Sequence, residues 1–571
     1  MTYDVGVRQE IRGELVCESA LHVGGWDPSV EADLAVARDG LGHPVIPGTS
    51  LAGALRAWSG HHRDEATINF LFGHLTHRGQ DGSAARIRID DAALIVSSAS
   101  STPIQPVIRD GVGIDRRTGS AAAGFLYSRE VLPPGTRFAF RMVADEPRTA
   151  DPVISHRPPV AEAVDDLLGA LRDGLIPLGA RRTTGLGRVR LENITRRRAN
   201  LSEPAGLLGW LTGTTPHDEI TAALPHPRTT GALTIQIGWS PDGALLVKDS
   251  LEGAVVDALP LTARDPVGRV RLLLPGSSIK GVLRSHAERI VRTLLDQDAG
   301  PLGDVLDREK LPGVVGLFGR SPERSGDAGW RGALEVTDCH SCGHLAAADW
   351  DAVLDACPTG SPLPAAGPSP ENNPAPSASN RRQETNDQRD KARNDLNDHL
   401  AHLRKIAPDL PDLRISDHVA IDRWTGGAST GQLFSVLEPM GAAWQPIILR
   451  VDTGRAGGPN TTTDDTGEID DANQQVAAAL LLLVLRDLAD GWLTFESGRT
   501  RGRGQISVQE IRFSGAGLRR PWSALAGRTL GEVLTDPPAA VTTALTYWAS
   551  AVAPDSSTPT PIPTPTREAA R

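Results

Sequence analysis

The chain contains two similar copies of one module, and this duplication limits its fold more than any other feature. The segment IPGTSLAGALR at 46–56 returns as LPGSSIKGVLR at 274–284. Four further motif pairs follow in the same order: FLFGH with GLFGR, RIRIDDA with ALEVTDC, GVGIDRRTG with HVAIDRWTG, and ARRTTGLGRVRL with SGRTRGRGQISV. Their spacing grows by 60 residues between Asp338 and Ile421, so the second copy carries an insertion there.

The length of 571 residues also favours more than one domain. The motif pairs predict a first domain over 1–200, a connector over 201–228 and a second domain over 229–515, with the insertion at about 339–413. Residues 516–571 indicate one or two helices and a Pro/Thr-rich tail. We expect disorder in this tail and in the Pro/Ser/Asn-rich first half of the insertion, and a solvated helix in its second half.

Each copy mixes strand and helix patterns. Strands are predicted for EIRGELVCESALHVGG, ARIRIDDAALIV, REVLPPGTRFAFRMVA and LGRVRLENITR. PVAEAVDDLLGALRDG predicts an amphipathic helix ending at Gly174, and GTSLAGALRAW predicts another with Thr49 or Ser50 as its N-cap. This order predicts an α+β fold with a split βαβ, or ferredoxin-like, core and inserted hairpins in each copy.

Composition narrows the class of protein. Four cysteines do not form a disulfide framework and no secretory signal is visible, so we expect a cytoplasmic protein. The longest apolar run, Ala477–Leu488, is too short to cross a bilayer, and we expect no membrane partner. The net charge of −11 argues weakly against nucleic acid, but seven arginines cluster between Arg181 and Arg198. A GC-rich genome is an alternative source of this arginine bias.

The Pro-Gly-Ser turns that open the two equivalent helices are candidate anion sites. Free N–H groups and the positive end of the helix dipole attract phosphate at such a turn. Lys280 and Arg284 lie one turn apart on one helix face, whereas Ala52 replaces the lysine in the first copy. The alternative is a plain helix start whose glycines allow close packing. The residues assigned to phosphate here are Ser50, Arg56, Ser278, Lys280 and Arg284.

Gly-rich turns close both copies, in TTGLGRVRL and TRGRGQISV. Both lack the third glycine of a dinucleotide fingerprint, and GSSIKG lacks P-loop spacing, so a nucleotide-binding metabolic enzyme is disfavoured. A Gly-rich turn beside arginines suits a long polyanion, because backbone approaches phosphate while guanidinium groups neutralise it. The alternative is a β-turn with solvated arginines. The arginines assigned to this contact are Arg181, Arg182, Arg188, Arg499, Arg501 and Arg503.

Together these motifs resemble the RAMP superfamily of CRISPR effector proteins, in particular the backbone subunit of type III complexes. The resemblance covers roughly residues 5–513, without the insertion or tail. It implies a modified RNA-recognition-like fold and assembly along a CRISPR guide RNA with other effector subunits. It also implies a hairpin in each copy that interrupts pairing between guide and target RNA. IDRRTG and IDRWTG would lie in these hairpins, which places Arg116, Arg117 and Arg423 near RNA.

The resemblance further implies target RNA cleavage by an aspartate on the loop before the Gly-Ser helix. The matching segments VEADLAVARDGLGHPVIPGTS and AVVDALPLTARDPVGRVRLLLPGSS place this residue at Asp33 and Asp257. Asp27, Glu31 and Asp39 are nearby alternatives. RNA supplies its own 2′-hydroxyl nucleophile, so the carboxylate would support alignment and bind Mg²⁺ that neutralises the phosphate.

The segment DCHSCGHLAAADWDAVLDAC carries a candidate zinc site at the start of the insertion. A C-x2-C pair with a later His and Cys can complete tetrahedral coordination, although the spacing is irregular. The candidate ligands are Cys339, Cys342, His344 and Cys357, with His340 as a spare. The alternative is a set of reduced thiols without metal.

Two other functions stay open at this stage. One is a guide-RNA scaffold without cleavage activity. The other is a CRISPR-repeat RNA processing endonuclease, which would use a His general base. His22, His61 and His62 lie near the first Gly-Ser helix but have no counterparts in the second copy.

Overall fold

The computed structural model of the protein describes most of the chain. The described ranges are 5–25, 31–75, 82–96, 105–115, 117–148, 160–220, 224–225, 231–249, 255–265, 267–298, 311–322, 329–357, 378–406, 412–459, 471–495 and 502–553. Side chains of 378–389, 430–432 and 471 are excepted. The disorder predicted for the tail and for the first half of the insertion concerns residues outside these ranges.

The first domain is a ferredoxin-like β-α-β-β-α-β unit. Its strands are β1 (Val7–Cys17), β2 (Val45–Ile46), β3 (Ile87–Ile89), β4 (Ala92–Ala93), β5 (Val107–Ile114), β6 (Ala121–Val131), β7 (Arg137–Glu146), β8 (Val189–Asn200) and β9 (Asp218–Glu219). Its helices are α1 (Gly48–Ser59), α2 (Glu65–Phe72), α3 (Val160–Arg172) and α4 (Pro204–Thr212). The antiparallel main sheet has the order β3-β7-β1-β8-β9.

The second domain repeats this plan. Its strands are β10 (Ala232–Pro241), β11 (Thr262–Arg264), β12 (Arg269–Leu274), β13 (Leu334–Val336), β14 (Cys339–His340), β15 (Leu345–Ala346), β16 (Asp412–Ile421), β17 (Ala428–Met440), β18 (Ile447–Asp452) and β19 (Ile506–Ser514). Its helices are α5 (Gly276–Leu295), α6 (Val314–Phe318), α7 (Ala347–Ala356), α8 (Ala378–Ile406), α9 (Asp471–Ala489), α10 (Leu530–Thr535) and α11 (Ala539–Ala551). The sheet order β13-β18-β10-β19 matches β3-β7-β1-β8, which confirms the tandem α+β fold.

Local sequence patterns explain the regular elements. Strand β1 alternates, and its Ile11 and Leu15 are fully buried beneath the helices. Helix α3 buries Val164, Leu167 and Leu171 on one face, and the chain leaves it at Gly174, where φ is +67°. Both segments were predicted from these periodicities.

The C-terminal extension packs into the second domain. Trp522, Val533 and Trp548 are buried in the same core as α9. Helix α9 has one stretch, Ala472–Ala489, that is long and apolar enough to span a membrane, but 67% of it is buried inside the protein. Among the described residues no other helix has this property.

The second half of the insertion is not a fully solvated helix, contrary to expectation. Leu396, Leu400 and Leu403 of α8 are buried in a separate hydrophobic core with α7. Their i, i+4, i+7 spacing forms one apolar stripe on an otherwise charged helix. The insertion is therefore anchored to the domain by this stripe.

A two-stranded hairpin is inserted into each domain at the same point. β5 pairs only with β6, and β16 only with β17, among the described strands. The second hairpin turns at Trp424, which is 96% exposed. Both inserted hairpins were predicted.

Candidate functional site

Asp33 and Asp257 occupy equivalent positions beside the two hairpins. Oδ2 of Asp33 accepts hydrogen bonds from the Ser128 N–H at 2.8 Å and from the Ser128 hydroxyl at 3.2 Å. Oδ2 of Asp257 accepts one from the Ser435 N–H at 2.7 Å. Ser435 follows Ser128 by 307 residues, the same interval that separates the hairpin motifs. These hydrogen bonds therefore identify the two aspartates as structurally equivalent, independently of their flanking sequences.

The backbone around the two aspartates is also duplicated. The Leu34 N–H donates to the Ser128 carbonyl at 3.1 Å, and the Ala258 N–H donates to the Ser435 carbonyl at 3.3 Å. The residues after each aspartate form a short parallel bridge with the second strand of the hairpin. We call Asp33 with Ser128 the first site, and Asp257 with Ser435 the second site.

A second carboxylate lies close to each site. Asp110 faces Ser128 across the first hairpin, and Asp417 faces Ser435 across the second. Burial and the charge of Asp33 raise the pKa of Asp110, although Lys248 of the second domain opposes this. At the first site, two carboxylates that repel each other in this way fit a divalent cation, and Mg²⁺ needs only one or two carboxylates because it keeps several waters. At the second site, hydrogen bonds from Arg393 and Ser435 lower the pKa of Asp417 instead.

The alternative acids differ in their roles. Asp39 accepts hydrogen bonds at 2.9 Å from the backbone N–H groups of Leu41 and His43, so it holds the turn before β2. Asp265 holds the equivalent turn in the second domain. Glu31 is exposed at the start of the loop, and Asp27 lies outside the described residues.

A carboxylate lies at each Gly-Ser turn, where the sequence predicts an anion site. Asp91 accepts the Gly48 N–H at 2.7 Å, and Asp338 accepts the Gly276 N–H at 2.9 Å, so a carboxylate already occupies each helix start. The N-cap position is Pro47, not Thr49 or Ser50. A Cβ on Gly48 would lie 2.4 Å from a backbone oxygen of β3, which supports the close-packing alternative. Ser50 and Ser278 donate their N–H groups to the carbonyls of the preceding prolines.

The cations assigned to these helices bind groups of their own domain. Arg56 donates to the Gly73 carbonyl and to Asn69, both at 2.7 Å. Lys280 is buried and donates to a backbone carbonyl of β13 at 2.7 Å. Arg284 donates to Glu288 at 2.7 Å within α5. The assignment of these three residues to phosphate stays a prediction, and these contacts do not support it.

The arginine cluster disperses over the first sheet because most members pair with acids. Arg188 bonds to Glu18 at 3.2 Å, and its contact with a polyanion stays a prediction. The other pairs are Arg190 with Glu18, Arg196 with Asp165, and Arg198 with Glu146. Arg503 pairs with Glu438. Arg499 and Arg501 lie outside the described residues.

Arg181 remains at the Gly-rich turn and belongs to a basic cluster that sequence reasoning missed. Arg181 and Arg129 both lie over the Tyr127 ring, with guanidinium carbons 5.4 and 5.7 Å from its centroid. Arg129 is 9% exposed, and its Nε and Nη1 have no hydrogen-bond partner. Desolvation and the charge of Arg181 lower the pKa of Arg129. An uncompensated buried guanidinium can bind a phosphate. The cluster could not be predicted from a local sequence motif, because Tyr127 and Arg129 lie 54 and 52 residues before Arg181.

The neighbouring Arg182 lies where the two domains meet. The turn Arg182–Thr184 contacts β13 and α5, and Arg109 of the first hairpin donates to Asp338 at 2.7 Å. A Cβ on Gly185 would lie 2.5 Å from Asp338 Oδ1, so this close approach needs glycine. At the hairpin tips Arg117 and Arg423 are exposed, while Arg116 lies outside the described residues.

The cysteines and histidines are not gathered into a metal site. Cys339 lies in the main core of the second domain and Cys357 in the separate core under α8. Cys342 and His344 are both exposed, and among the described residues no three metal-ligating side chains form a group. The geometry thus gives no support to zinc.

The histidines near the first helix make local contacts. His22 is buried, and its Nδ1 hydrogen-bonds with the Glu130 carbonyl at 2.8 Å. His62 stacks on Trp58 with ring centroids 4.2 Å apart but stays exposed. These contacts do not test the repeat-processing alternative, which stays a prediction.

Comparison with known families agrees with the duplicated geometry. The sequence model of the RAMP superfamily matches residues 14–190 and 260–507, which together are more than half of the chain. No curated protein matches the sequence of this chain. Each matched region contains one of the two hairpins; Asp33 lies inside the first region, and Asp257 lies just before the start of the second. The chain therefore belongs to the RAMP superfamily, as a tandem two-domain member, and is a CRISPR-associated RNA-binding subunit.

Proposed function

We propose that this protein is a guide-RNA-binding backbone subunit of a type III CRISPR interference complex that cuts complementary target RNA once at each site. The observation that supports it best is the duplicated hold on Asp33 and Asp257 by Ser128 and Ser435. A scaffold without activity has no need for the same carboxylate geometry twice. In this proposal its partners are guide RNA, target RNA and other effector subunits in the cytoplasm.

The chemistry proposed for the first site uses the protein's own groups for placement. Both hydrogen bonds from Ser128 go to Oδ2 of Asp33, which leaves Oδ1 for the RNA or for a metal ion. Asp33 with Asp110 would hold Mg²⁺, and Asp257 would do so at the second site. The bound ion supplies positive charge at the scissile phosphate. The hairpin orients the strand so that its 2′-hydroxyl lines up with the phosphorus.

The test uses the assembled guide-loaded complex and an end-labelled complementary RNA, with Mg²⁺ or EDTA. We expect Asp33→Ala and Asp257→Ala each to abolish one distinct cut, by about 100-fold or more, with target binding retained. Asp218→Ala, an exposed aspartate on β9, is the matched control and should keep both cuts. Tight binding without any cut by the wild type would leave only the scaffold function. Unchanged cutting by the double variant would show that other groups act.

A further inference from the structure

The second site differs from the first because the insertion reaches it. Helix α8 has no counterpart in the first copy, and its Arg393 lies against the second hairpin. Arg393 donates from Nη1 to Oδ1 of Asp417 at 3.1 Å and from Nη2 to Oδ2 at 2.7 Å. This two-point contact fixes the carboxylate in one orientation.

The contact continues to the proposed cleavage residue. Oδ1 of Asp417 also accepts the Ser435 hydroxyl at 2.7 Å, and the Ser435 N–H donates to Asp257. In the first copy the Ser128 hydroxyl bonds to Asp33 itself, and among the described residues no arginine binds Asp110. Arg393 is thus linked to Asp257 through two hydrogen-bonded residues, an arrangement that the first site lacks.

The hydrophobic core under α8 also includes residues of the loop that carries Asp257. Val256 and Leu259, which flank Asp257, are buried with Leu396 and Leu400 of the helix. In the first copy alanines, Ala32 and Ala35, stand at the positions of Val256 and Leu259, and neither belongs to a hydrophobic core among the described residues. Each buried leucine contributes about 1.5–3 kcal/mol, so the stripe docks the helix without help from Arg393.

The exposure of the ion pair indicates what Arg393 contributes. The side chains of Arg393 and Asp417 are 37% and 44% exposed, and such pairs add little to stability. The effect of Arg393 is therefore on geometry and local charge. Without it, Asp417 would leave an uncompensated negative charge beside the path of the target phosphate.

Resting on the function proposed above, we infer that α8 clamps the second site and that Arg393 is a positioning residue for Asp257. The insertion makes the two cleavage sites unequal: the second depends on Arg393, while the first does not. The first cut in the same molecule is therefore an internal standard for the second.

The experiment measures single-turnover rates of both cuts in the guide-loaded complex, with the cuts assigned by Asp33→Ala and Asp257→Ala. We expect Arg393→Ala to slow the second cut by about 10- to 100-fold and leave the first cut and target binding unchanged. Arg393→Lys, which keeps the charge but cannot make the two-point contact, should recover only part of the rate. Arg404→Ala is the matched control, because Arg404 ties the same helix to Asp412 and Leu413 of β16 without contacting Asp417.

Each outcome decides the inference. Equal losses from Arg393→Ala and Arg404→Ala would overturn it, since only docking of α8 would then matter. Hydrogen exchange over 255–261 separates these cases, because loss of docking raises exchange and loss of Arg393 alone does not. A second cut that Asp257→Ala removes but Arg393→Ala leaves intact would overturn the inference and keep the proposed function. A second cut that survives Asp257→Ala would overturn both.

Discussion

Lys280 is a lysine whose surroundings change its chemistry. Burial lowers its pKa from 10.5 to about 7, and the charge of Arg284 adds to this effect. In the unfolded chain the lysine regains its ordinary pKa. Between pH 7 and 10.5 the unfolded state therefore binds more protons than the folded state, so the free energy of unfolding rises with pH in this window.

Replacement by an apolar residue of similar shape exposes this dependence. We expect the unfolding free energy of the wild type, relative to Lys280→Met, to gain about 2 kcal/mol from pH 7 to pH 9. Urea denaturation followed by tryptophan fluorescence at several pH values measures the difference. The exposed Lys391→Met on α8 is the control and should run parallel to the wild type. If the unfolding free energies of Lys280→Met and the wild type changed with pH in parallel, the lowered pKa of Lys280 would be contradicted.

At the scale of elements, α1 shows how a helix start depends on a distant residue. Its first N–H bonds to Asp91, 43 residues farther along, and the carboxylate faces the positive end of the helix dipole. We expect Asp91→Ala to lower the free energy of unfolding of the first domain by about 1–2 kcal/mol. Asp90→Ala is the control, because Asp90 only pairs with exposed Arg141 and should cost less. Equal losses measured by chemical denaturation would show that the cap contributes nothing.

The same example shows how far sequence could predict this protein. The periodicities of β1 and α3 are local, so these elements followed from pattern alone. The cap of α1 was assigned to Thr49 or Ser50 because Asp91 approaches only in the folded sheet. Asp33 was singled out through family resemblance, since its hydrogen bonds come from Ser128, 95 residues away. Contacts of this kind depend on hairpin placement, which local propensity does not encode.

At the scale of the whole molecule, the two copies meet head to tail. The first hairpin and Gly-rich turn contact the start of α5, whose equivalent in the first copy is the start of α1. Asp338 is covered by this contact, whereas its equivalent Asp91 is exposed. A heterologous interface of this type leaves one matching surface open at each end. This is the geometry that the proposed assembly with neighbouring effector subunits requires.

The ion pair between Arg109 and Asp338 measures how firmly the two copies are joined. Their side chains are only 14% and 5% exposed, so each leaves an uncompensated buried charge when the other is removed. A double-mutant cycle with Arg109→Gln and Asp338→Asn should give a coupling free energy of about 1–3 kcal/mol in chemical denaturation. Asp338→Asn also weakens the cap of α5, a cost that cancels within the cycle because it is present with and without Arg109. Losses that add to within about 0.5 kcal/mol would mean that the domains are joined by the Gly185 contact and the connector, not by this pair.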